Sequence, residues 1–153
     1  MSLLSHFCLV TGAGSDNHVI SSFDSALLDA GVGNYNLVRV SSILPPNCAQ
    51  EKEILQPAGS VLFTAYATLT TNVNEMIASA IAVAIPCDME QYGVIMEYSN
   101  RINKVSAINI ARELAENAMK KRNIAIRCIL SDGVEIQGKD SVFSTTFAGI
   151  SMF

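Results

Sequence analysis

The chain has 153 residues, of which half are hydrophobic and only 16% carry a charged side chain. Its formal net charge is −4, and its ten Lys and Arg residues form no basic stripe of the kind that binds nucleic acid. The length suits one domain. Because about 25% of the residues in a soluble globular domain are usually charged, we expect other copies of the chain to cover part of the surface in a homo-oligomer.

The sequence also argues against a membrane protein, a secreted protein and a zinc protein. The longest apolar run, residues 76–86, is much shorter than the ~20 residues of a membrane span, and the first residues do not resemble a secretory signal. We therefore expect a cytoplasmic protein with no membrane contact. The cysteines lack zinc-site spacing, so we expect no metal and four small buried hydrophobic residues: Cys8, Cys48, Cys87 and Cys128.

The N-terminal segment predicts a strand over residues 7–11 that ends in a tight loop at Gly12 and Gly14. Residues 10–15 begin like a dinucleotide-binding loop. Asn17 stands where that loop has its third glycine, which argues against nucleotide binding.

A helix is predicted over residues 21–30, because apolar residues recur there every three or four positions. Ser21 or Ser22 would cap its start and Gly31 would end it, which places Asp24 in the first turn. After this helix, the β-branched residues 35–42 predict one strand. Its alternation places one set of side chains on a common face: Asn36, Val38, Val40 and Ser42.

The middle of the chain alternates between polar and apolar patterns. Residues 47–60 are polar and predict an exposed loop, and residues 61–70 alternate as in a strand. Residues 77–85 carry bulky side chains at most odd positions and Ala at every even position. A strand fits this pattern better, with a buried helix as the alternative because Ala favours helix.

The second half predicts a strand over residues 92–98, a helix over 103–122 and a strand over 141–153. Residues 124–130 and 134–137 are predicted to form a hairpin about the turn Ser131-Asp132-Gly133. Consecutive strands favour antiparallel sheets with helices on their outer faces. The 103–122 helix presents one apolar face: Ile108, Ala111, Leu114, Ala115, Ala118 and Met119.

Few side chains offer acid–base chemistry. The two histidines, His6 and His18, both lie near the N-terminus, so a Ser-His-Asp hydrolase is disfavoured. A more specific signal is a set of collinear segments, which resembles the pyruvoyl-dependent arginine decarboxylases and spans residues 7 to about 120: 24–46, 64–66, 77–86 and 93–98.

This resemblance implies a layered α/β/β/α sandwich of mainly antiparallel sheets, built as a single domain over residues 1–153. It also implies that Ser42 Oγ attacks the carbonyl of Ser41 and that the chain cuts itself into 1–41 (β chain) and 42–153 (α chain). Ser42 becomes the pyruvoyl cofactor, so neither PLP nor a metal is needed. Arginine would form a Schiff base with it and leave as agmatine and carbon dioxide.

The resemblance assigns further roles. Glu97 would return a proton to the substrate carbon, and Asn36 matches an active-site amide. On a regular strand Asn36 lies ~20 Å from Ser42, so either the strand bends sharply or Asn36 serves the Ser42 of a neighbouring subunit. The family's trimers, or dimers of trimers, have sites between subunits. Asp24 would hold the guanidinium, and the pocket wall would come from Leu27, Gly33 and Tyr35.

Three alternatives remain open at this stage. Gly59-Ser60 is a second dipeptide of a type that pyruvoyl aspartate decarboxylases cleave. A non-catalytic trimeric homologue that binds a small molecule would need neither the serine pair nor Glu97. A pyruvoyl decarboxylase for another amino acid would keep both and would not require Asp24.

Overall fold

The computed structural model describes residues 4–153, which form two stacked β-sheets with one helix on each outer face. This is the predicted α/β/β/α layering. The elements in chain order are β1 (His6–Asp16), α1 (Val19–Asp29), β2 (Asn36–Arg39), β3 (Ile43–Leu44), β4 (Ala49–Gln50), β5 (Val61–Thr71), β6 (Met76–Pro86), β7 (Gly93–Asn100), α2 (Lys104–Lys121), β8 (Ile126–Gln137) and β9 (Phe143–Met152).

The first sheet has the strand order β2-β5-β9-β1-β4 and the second has β3-β7-β6-β8. Their pairings are antiparallel except for two short parallel ones, β1 with β4 and β2 with β5. Helix α1 packs on β1 and β9, whereas α2 packs on β6, β7 and β8. The mainly antiparallel sandwich is thus confirmed, as are the strands predicted over residues 61–70, 92–98 and 141–153.

The two faces of strand β6 carry side chains of different size, and each face packs against a different layer. Its alanines face α2, and its bulky residues fill the space between the sheets, where Ile81, Val83 and Ile85 are buried. The strand prediction for this segment is confirmed and the helical alternative is wrong. The flat alanine face allows close packing of small residues from both elements: Ala78, Ala80, Ala82 and Ala84 of β6 with Ala107, Ala111, Ala115 and Ala118 of α2.

Helix α2 matches its prediction closely. Its N-cap residue is Asn103, whose side-chain oxygen accepts a hydrogen bond from the Ser106 N–H at 2.8 Å. Leu114, which the pattern assigned to the apolar face, is instead 39% exposed. The buried face of α2 is narrower than the predicted one and includes Ala107, which the pattern did not assign to it.

The loop predicted at Gly12 and Gly14 is wrong, because both glycines lie within β1. The strand continues through Gly12 and Gly14 to Asp16. A Cβ added at Gly12 would lie 2.4 Å from the backbone oxygen of Ala26, and one at Gly14 would lie 2.5 Å from Ser25 Cβ. These glycines therefore let α1 approach the sheet closely.

Helix α1 also begins earlier than predicted. His18 is its N-cap, and Ser22 lies inside the helix, where its hydroxyl donates to the Val19 carbonyl oxygen. Asp24 therefore lies beyond the first turn, where the helix dipole gives it little stabilisation. Its side chain is exposed.

The predicted hairpin near residue 132 is wrong. Strand β8 runs through it without a turn, antiparallel to β6, with Asp132 opposite Ile81. A Cβ at Gly133 would lie 2.8 Å from Ile108 Cγ1, so this glycine makes room for α2. The local turn signal is overridden by ladder pairing with β6.

Three further predictions are partly wrong. The 47–60 loop contains the short strand β4. The strand predicted over 35–42 is correct only for β2, which ends at Arg39; the next strand, β3, begins at Ile43 and belongs to the other sheet. Cys8 and Cys48 are buried as predicted, whereas Cys87 and Cys128 are exposed; all four are free.

Across residues 4–153, no helix is long and apolar enough to cross a membrane, and no group of three or more potential metal ligands occurs.

Candidate active site

The chain crosses from one sheet to the other at Ser41 and Ser42. On the first side, the Val40 N–H donates to the Thr64 carbonyl oxygen at 3.2 Å, and the Val40 side chain packs on the core between the sheets. On the second side, Ile43 pairs with Val94 of β7. The two serines therefore lie between β2 and β3, outside both strands, with Ser41 exposed and Ser42 half-buried.

Glu97 reaches this crossing from β7. Alternate residues of β7 point to opposite faces of the second sheet: Val94 contacts the α2 side, and Ile95 belongs to the core between the sheets. Glu97 shares the face of Ile95 and lies opposite Ile81 in the ladder. Its half-buried carboxylate therefore faces the space between the sheets.

The Ser42 hydroxyl donates to this carboxylate, with Oγ 2.8 Å from Glu97 Oε2 and 3.0 Å from Oε1. Two backbone contacts hold the same segment. The Ile95 N–H donates to the Ser42 carbonyl oxygen at 2.8 Å, and the Ile43 N–H donates to the Ser41 carbonyl oxygen at 2.9 Å. These five residues are called the cleavage junction below. A serine hydroxyl bonded to a carboxylate has the geometry of a nucleophile and its base.

Asn36 lies apart from the cleavage junction. Its side-chain Nδ2 donates to the Gly59 carbonyl oxygen at 2.8 Å, and its backbone N–H donates to the Ser60 carbonyl oxygen at 2.9 Å. The chain does bend after Arg39, yet the bend carries Ser42 to the second sheet while Asn36 stays in the first. Within residues 4–153, no hydrogen bond joins the Ser60 hydroxyl to an acid, unlike that of Ser42.

The predicted guanidinium ligand lies on the outer surface of α1. Asp24 and Leu27 line a groove of about 410 Å³, called the α1 groove below, together with Ile20, Ser21 and Phe23. The Asp24 carboxylate is exposed. Since α1 covers the outer face of the first sheet, this groove and the cleavage junction lie on different faces of that sheet.

The other predicted pocket residues have local partners. The Tyr35 hydroxyl donates to the Gln56 carbonyl oxygen at 2.9 Å, and Gly33 packs closely against Leu28. A single chain therefore brings together Ser41, Ser42 and Glu97, and leaves the remaining candidates elsewhere: Asp24, Leu27, Gly33, Tyr35 and Asn36.

Sequence reasoning missed two groups of the cleavage junction, the N–H groups of Ile43 and Ile95. Every residue except proline carries a backbone N–H, so residue identity gives no signal for such a donor. The pairing of β3 with β7 creates the contacts, and that pairing joins segments about fifty residues apart in sequence.

Comparison with known proteins agrees with the resemblance seen in the sequence. The family model described as pyruvoyl-dependent arginine decarboxylase matches residues 6–149. A protein of that name from Methanococcus aeolicus is 40% identical over 124 residues, which cover 80% of this chain and 75% of the relative. One from Methanocaldococcus jannaschii is 40% identical over 132 residues, covering 83% and 78%.

Among solved structures, a pyruvoyl-dependent histidine decarboxylase at pH 8 aligns with a TM-score of 0.48 and 11% identity over 65% of this chain and 54% of its own. The family model and the sequence relatives show that this protein is a carboxy-lyase. The chain belongs to the pyruvoyl-dependent arginine decarboxylase family.

Proposed function

We propose that this protein is a self-processing decarboxylase that converts L-arginine to agmatine and carbon dioxide, using a pyruvoyl group formed from its own Ser42. One observation carries the proposal: the Ser42 hydroxyl donates to both oxygens of Glu97 at the position where the chain crosses between sheets. A pyruvoyl precursor needs a serine whose hydroxyl can attack the preceding carbonyl. Ser42, with its carboxylate neighbour, fits that requirement.

Self-cleavage begins when Ser42 Oγ bonds to the carbonyl carbon of Ser41 while Glu97 accepts the hydroxyl proton. The Ser41–Ser42 C–N bond then breaks and its nitrogen takes a proton, which leaves an ester. Loss of the Ser42 Cα proton and cleavage of the Cβ–Oγ bond release the Ser41 carboxylate and a dehydroalanine. Addition of water and loss of ammonia convert that residue to the pyruvoyl group.

The two fragments would remain together after the cut. Fragment 1–41 contains β1, which is paired with β9 over ten residues, and α1, which packs on both strands. Breaking one peptide bond leaves these contacts intact. The proposed domain therefore stays a single folded unit made of fragments 1–41 and 42–153.

In the mature enzyme the pyruvoyl group would supply a carbonyl that captures the substrate amine and an electron sink for decarboxylation. Glu97 would remain beside the reacting atoms, where its carboxyl group returns a proton to the substrate carbon after carbon dioxide leaves. We propose the pyruvoyl group as the sole cofactor, with neither PLP nor a metal.

Arginine binding is assigned to the α1 groove. A carboxylate can hold the planar guanidinium through two parallel hydrogen bonds, and Asp24 is exposed to do so beside the apolar Phe23 and Leu27. Gly33 and Tyr35 are close in sequence to this helix and would complete the pocket wall. The guanidinium is the feature that selects arginine over other amino acids.

The separation of the α1 groove from the cleavage junction supports active sites formed between copies of the chain. Large apolar side chains on β2 and β5 are exposed, with Val38 at 43% and Phe63 at 38%. Asn36 pairs with Val61 at the start of this strand pair. We propose that a neighbouring copy covers this surface in a trimer, or a dimer of trimers, and that Asn36 then meets the neighbour's Ser42.

The proposed compartment is the cytoplasm. Cys87 and Cys128 are exposed and unpaired, which suits the reducing conditions found there. The pyruvoyl mechanism would also require no oxidising step.

Mixed oligomers test the proposed function together with its assembly. Asp24→Asn and Glu97→Gln chains are each expected to be nearly inactive with arginine. If each site takes Asp24 from one copy and Glu97 from another, co-expressed chains regain roughly a quarter of wild-type turnover, since random assembly rebuilds that share of sites. Separately purified and unmixed variants are the control. Absence of any recovery would place both residues in one chain.

A further inference from the structure

The cleavage junction contains a tight turn about Ser42. The Ile43 N–H donates to the Ser41 carbonyl oxygen at 2.9 Å, so a hydrogen bond joins residues two apart and Ser42 is the central residue. Ser42 is not one of the described residues that have a positive φ, so its φ is negative. The turn is therefore of the inverse γ type.

The Ile43 N–H takes no part in the ladder between β3 and β7. In that pairing Ile43 lies opposite Val94, and the neighbouring rung is the Ile95 N–H donating to the Ser42 carbonyl oxygen at 2.8 Å. Hydrogen-bonded and non-bonded pairs alternate along antiparallel strands. The Ile43 N–H therefore points away from β7, toward the bond that would be cut.

We infer that the Ile43 N–H is the oxyanion donor for self-cleavage; this inference rests on the proposed attack of Ser42 on Ser41. As Oγ bonds to the Ser41 carbonyl carbon, negative charge develops on the carbonyl oxygen and the hydroxyl proton moves to Glu97. The charge is lost again when the C–N bond breaks. The Ile43 nitrogen already lies 2.9 Å from the carbonyl oxygen before the attack, so this donor is close to the position where the oxyanion would form.

The contacts divide the work among three groups. Glu97 holds the nucleophilic oxygen of Ser42, the Ile43 N–H polarises the carbonyl that is attacked, and the Ile95 N–H fixes the carbonyl on the other side of Ser42. The short β3–β7 pairing aligns all three. The nucleophile and the electrophile are thereby oriented before any partner chain binds.

The first test replaces Ile43. Ile43→Pro removes the N–H without breaking a ladder hydrogen bond, and the side chain is already 39% exposed. Loss of one oxyanion donor lowers rates by about 10²–10³, so the 42–153 fragment should form that much more slowly. The matched control, Ile43→Ala, keeps the N–H and should cleave within a few-fold of wild type.

Proline also restricts the backbone of Ser42, so a second variant isolates the N–H. Cys48 permits ligation of a synthetic 1–47 segment to expressed 48–153. That segment can carry an ester oxygen in place of the Ile43 nitrogen, and the same ligation with the natural amide is the control. After refolding, the ester chain should again cleave about 10²–10³ more slowly.

The outcomes separate the two claims. If the natural chain is never cut between Ser41 and Ser42, the proposed function fails. If the natural and ligated amide chains are cut and the ester chain is cut equally fast, the self-processing function survives and the role of the Ile43 N–H is refuted. Circular dichroism and oligomer mass identify a misfolded Ile43→Pro protein, in which case the ester chain decides.

Discussion

The cleavage junction and the α1 groove differ in how completely one chain builds them. In the junction, Ser42 and the Ser41 carbonyl oxygen have partners from the same chain at 2.8–3.0 Å. In the groove, Asp24 is exposed and has no hydrogen-bond partner among residues 4–153. This difference is the basis for our proposal that one chain suffices for self-cleavage, whereas the arginine site is completed by a second chain.

The largest expected effect is on the junction. Ser42→Ala removes the attacking oxygen, so the chain should remain uncut and inactive with arginine. Ser41→Ala is the matched control, because it keeps both the carbonyl and the nucleophile, and it should still cleave. Denaturing gel electrophoresis measures both. An Ser42→Ala chain that is cut at this bond would show that another group is the nucleophile.

Glu97→Gln should affect the two reactions of the junction unequally. The amide oxygen still accepts a hydrogen bond from Ser42, so fragments should form, although more slowly. Decarboxylation needs a transferable proton at every turnover and should fall by about 10²–10⁴. Carbon dioxide release from the fully cleaved variant is the measurement. Turnover near that of the wild type would mean that the proton comes from another group.

Asp24→Asn should affect the groove alone. Losing one partner of a charged hydrogen-bonded pair costs ~2–5 kcal/mol, so kcat/KM for arginine should fall by about 30-fold to several thousand-fold. Self-cleavage should be unchanged, because it involves no guanidinium. Glu113→Gln, an exposed acid on α2, is the control.

Competing substrates sharpen this prediction. Wild-type enzyme should prefer arginine to lysine, ornithine and histidine, because only the guanidinium offers two parallel N–H donors on one edge to a single carboxylate. Equal use of histidine and arginine would show that the substrate pocket is misassigned, while leaving the self-cleavage proposal intact.

A smaller effect is expected where α1 lies on β1. Gly12→Ala would place a Cβ 2.4 Å from two backbone atoms, an overlap that side-chain rotation cannot relieve and that should cost ~3 kcal/mol. Gly31→Ala meets no atom within 4 Å and has only the strain of φ +76°, about 1 kcal/mol. Urea unfolding of both in the uncut Ser42→Ala chain compares them. Equal losses would mean that close helix packing is unimportant.

The smallest effect lies away from both regions. Asn103→Ala removes the α2 cap and should lower the free energy of unfolding by ~1 kcal/mol, with cleavage and kcat/KM unchanged. Asn109→Ala, at an exposed position inside α2, is the control. A change in self-cleavage would reveal coupling between α2 and the cleavage junction through β7.

The regular elements were predictable where one pattern dominated. The alternation of β6 specified both its strand and its two unlike faces, and the stripe of α2 specified a helix. Predictions failed where a glycine had two possible meanings. Gly12, Gly14 and Gly133 resemble turn residues in sequence, whereas each makes room for a helix packed on a strand. Which meaning applies depends on distant segments.

The cleavage junction was predictable only in part. Ser42 and Glu97 were selected through the family resemblance, and their contact depends on β3 pairing with β7 across a long stretch of chain. The pattern over residues 35–42 predicted one continuous strand and so missed the crossing between sheets. The backbone donors of Ile43 and Ile95 have no signature in sequence at all.

The most direct test of the central claim is the intact mass of purified protein under denaturing conditions. We predict two species, residues 1–41 and residues 42–153, with the second lighter than an unmodified Ser42 fragment by the mass of one ammonia. A single uncut chain after prolonged incubation, or a cut at Gly59-Ser60 instead, would contradict the assignment of Ser42 as the source of the pyruvoyl group.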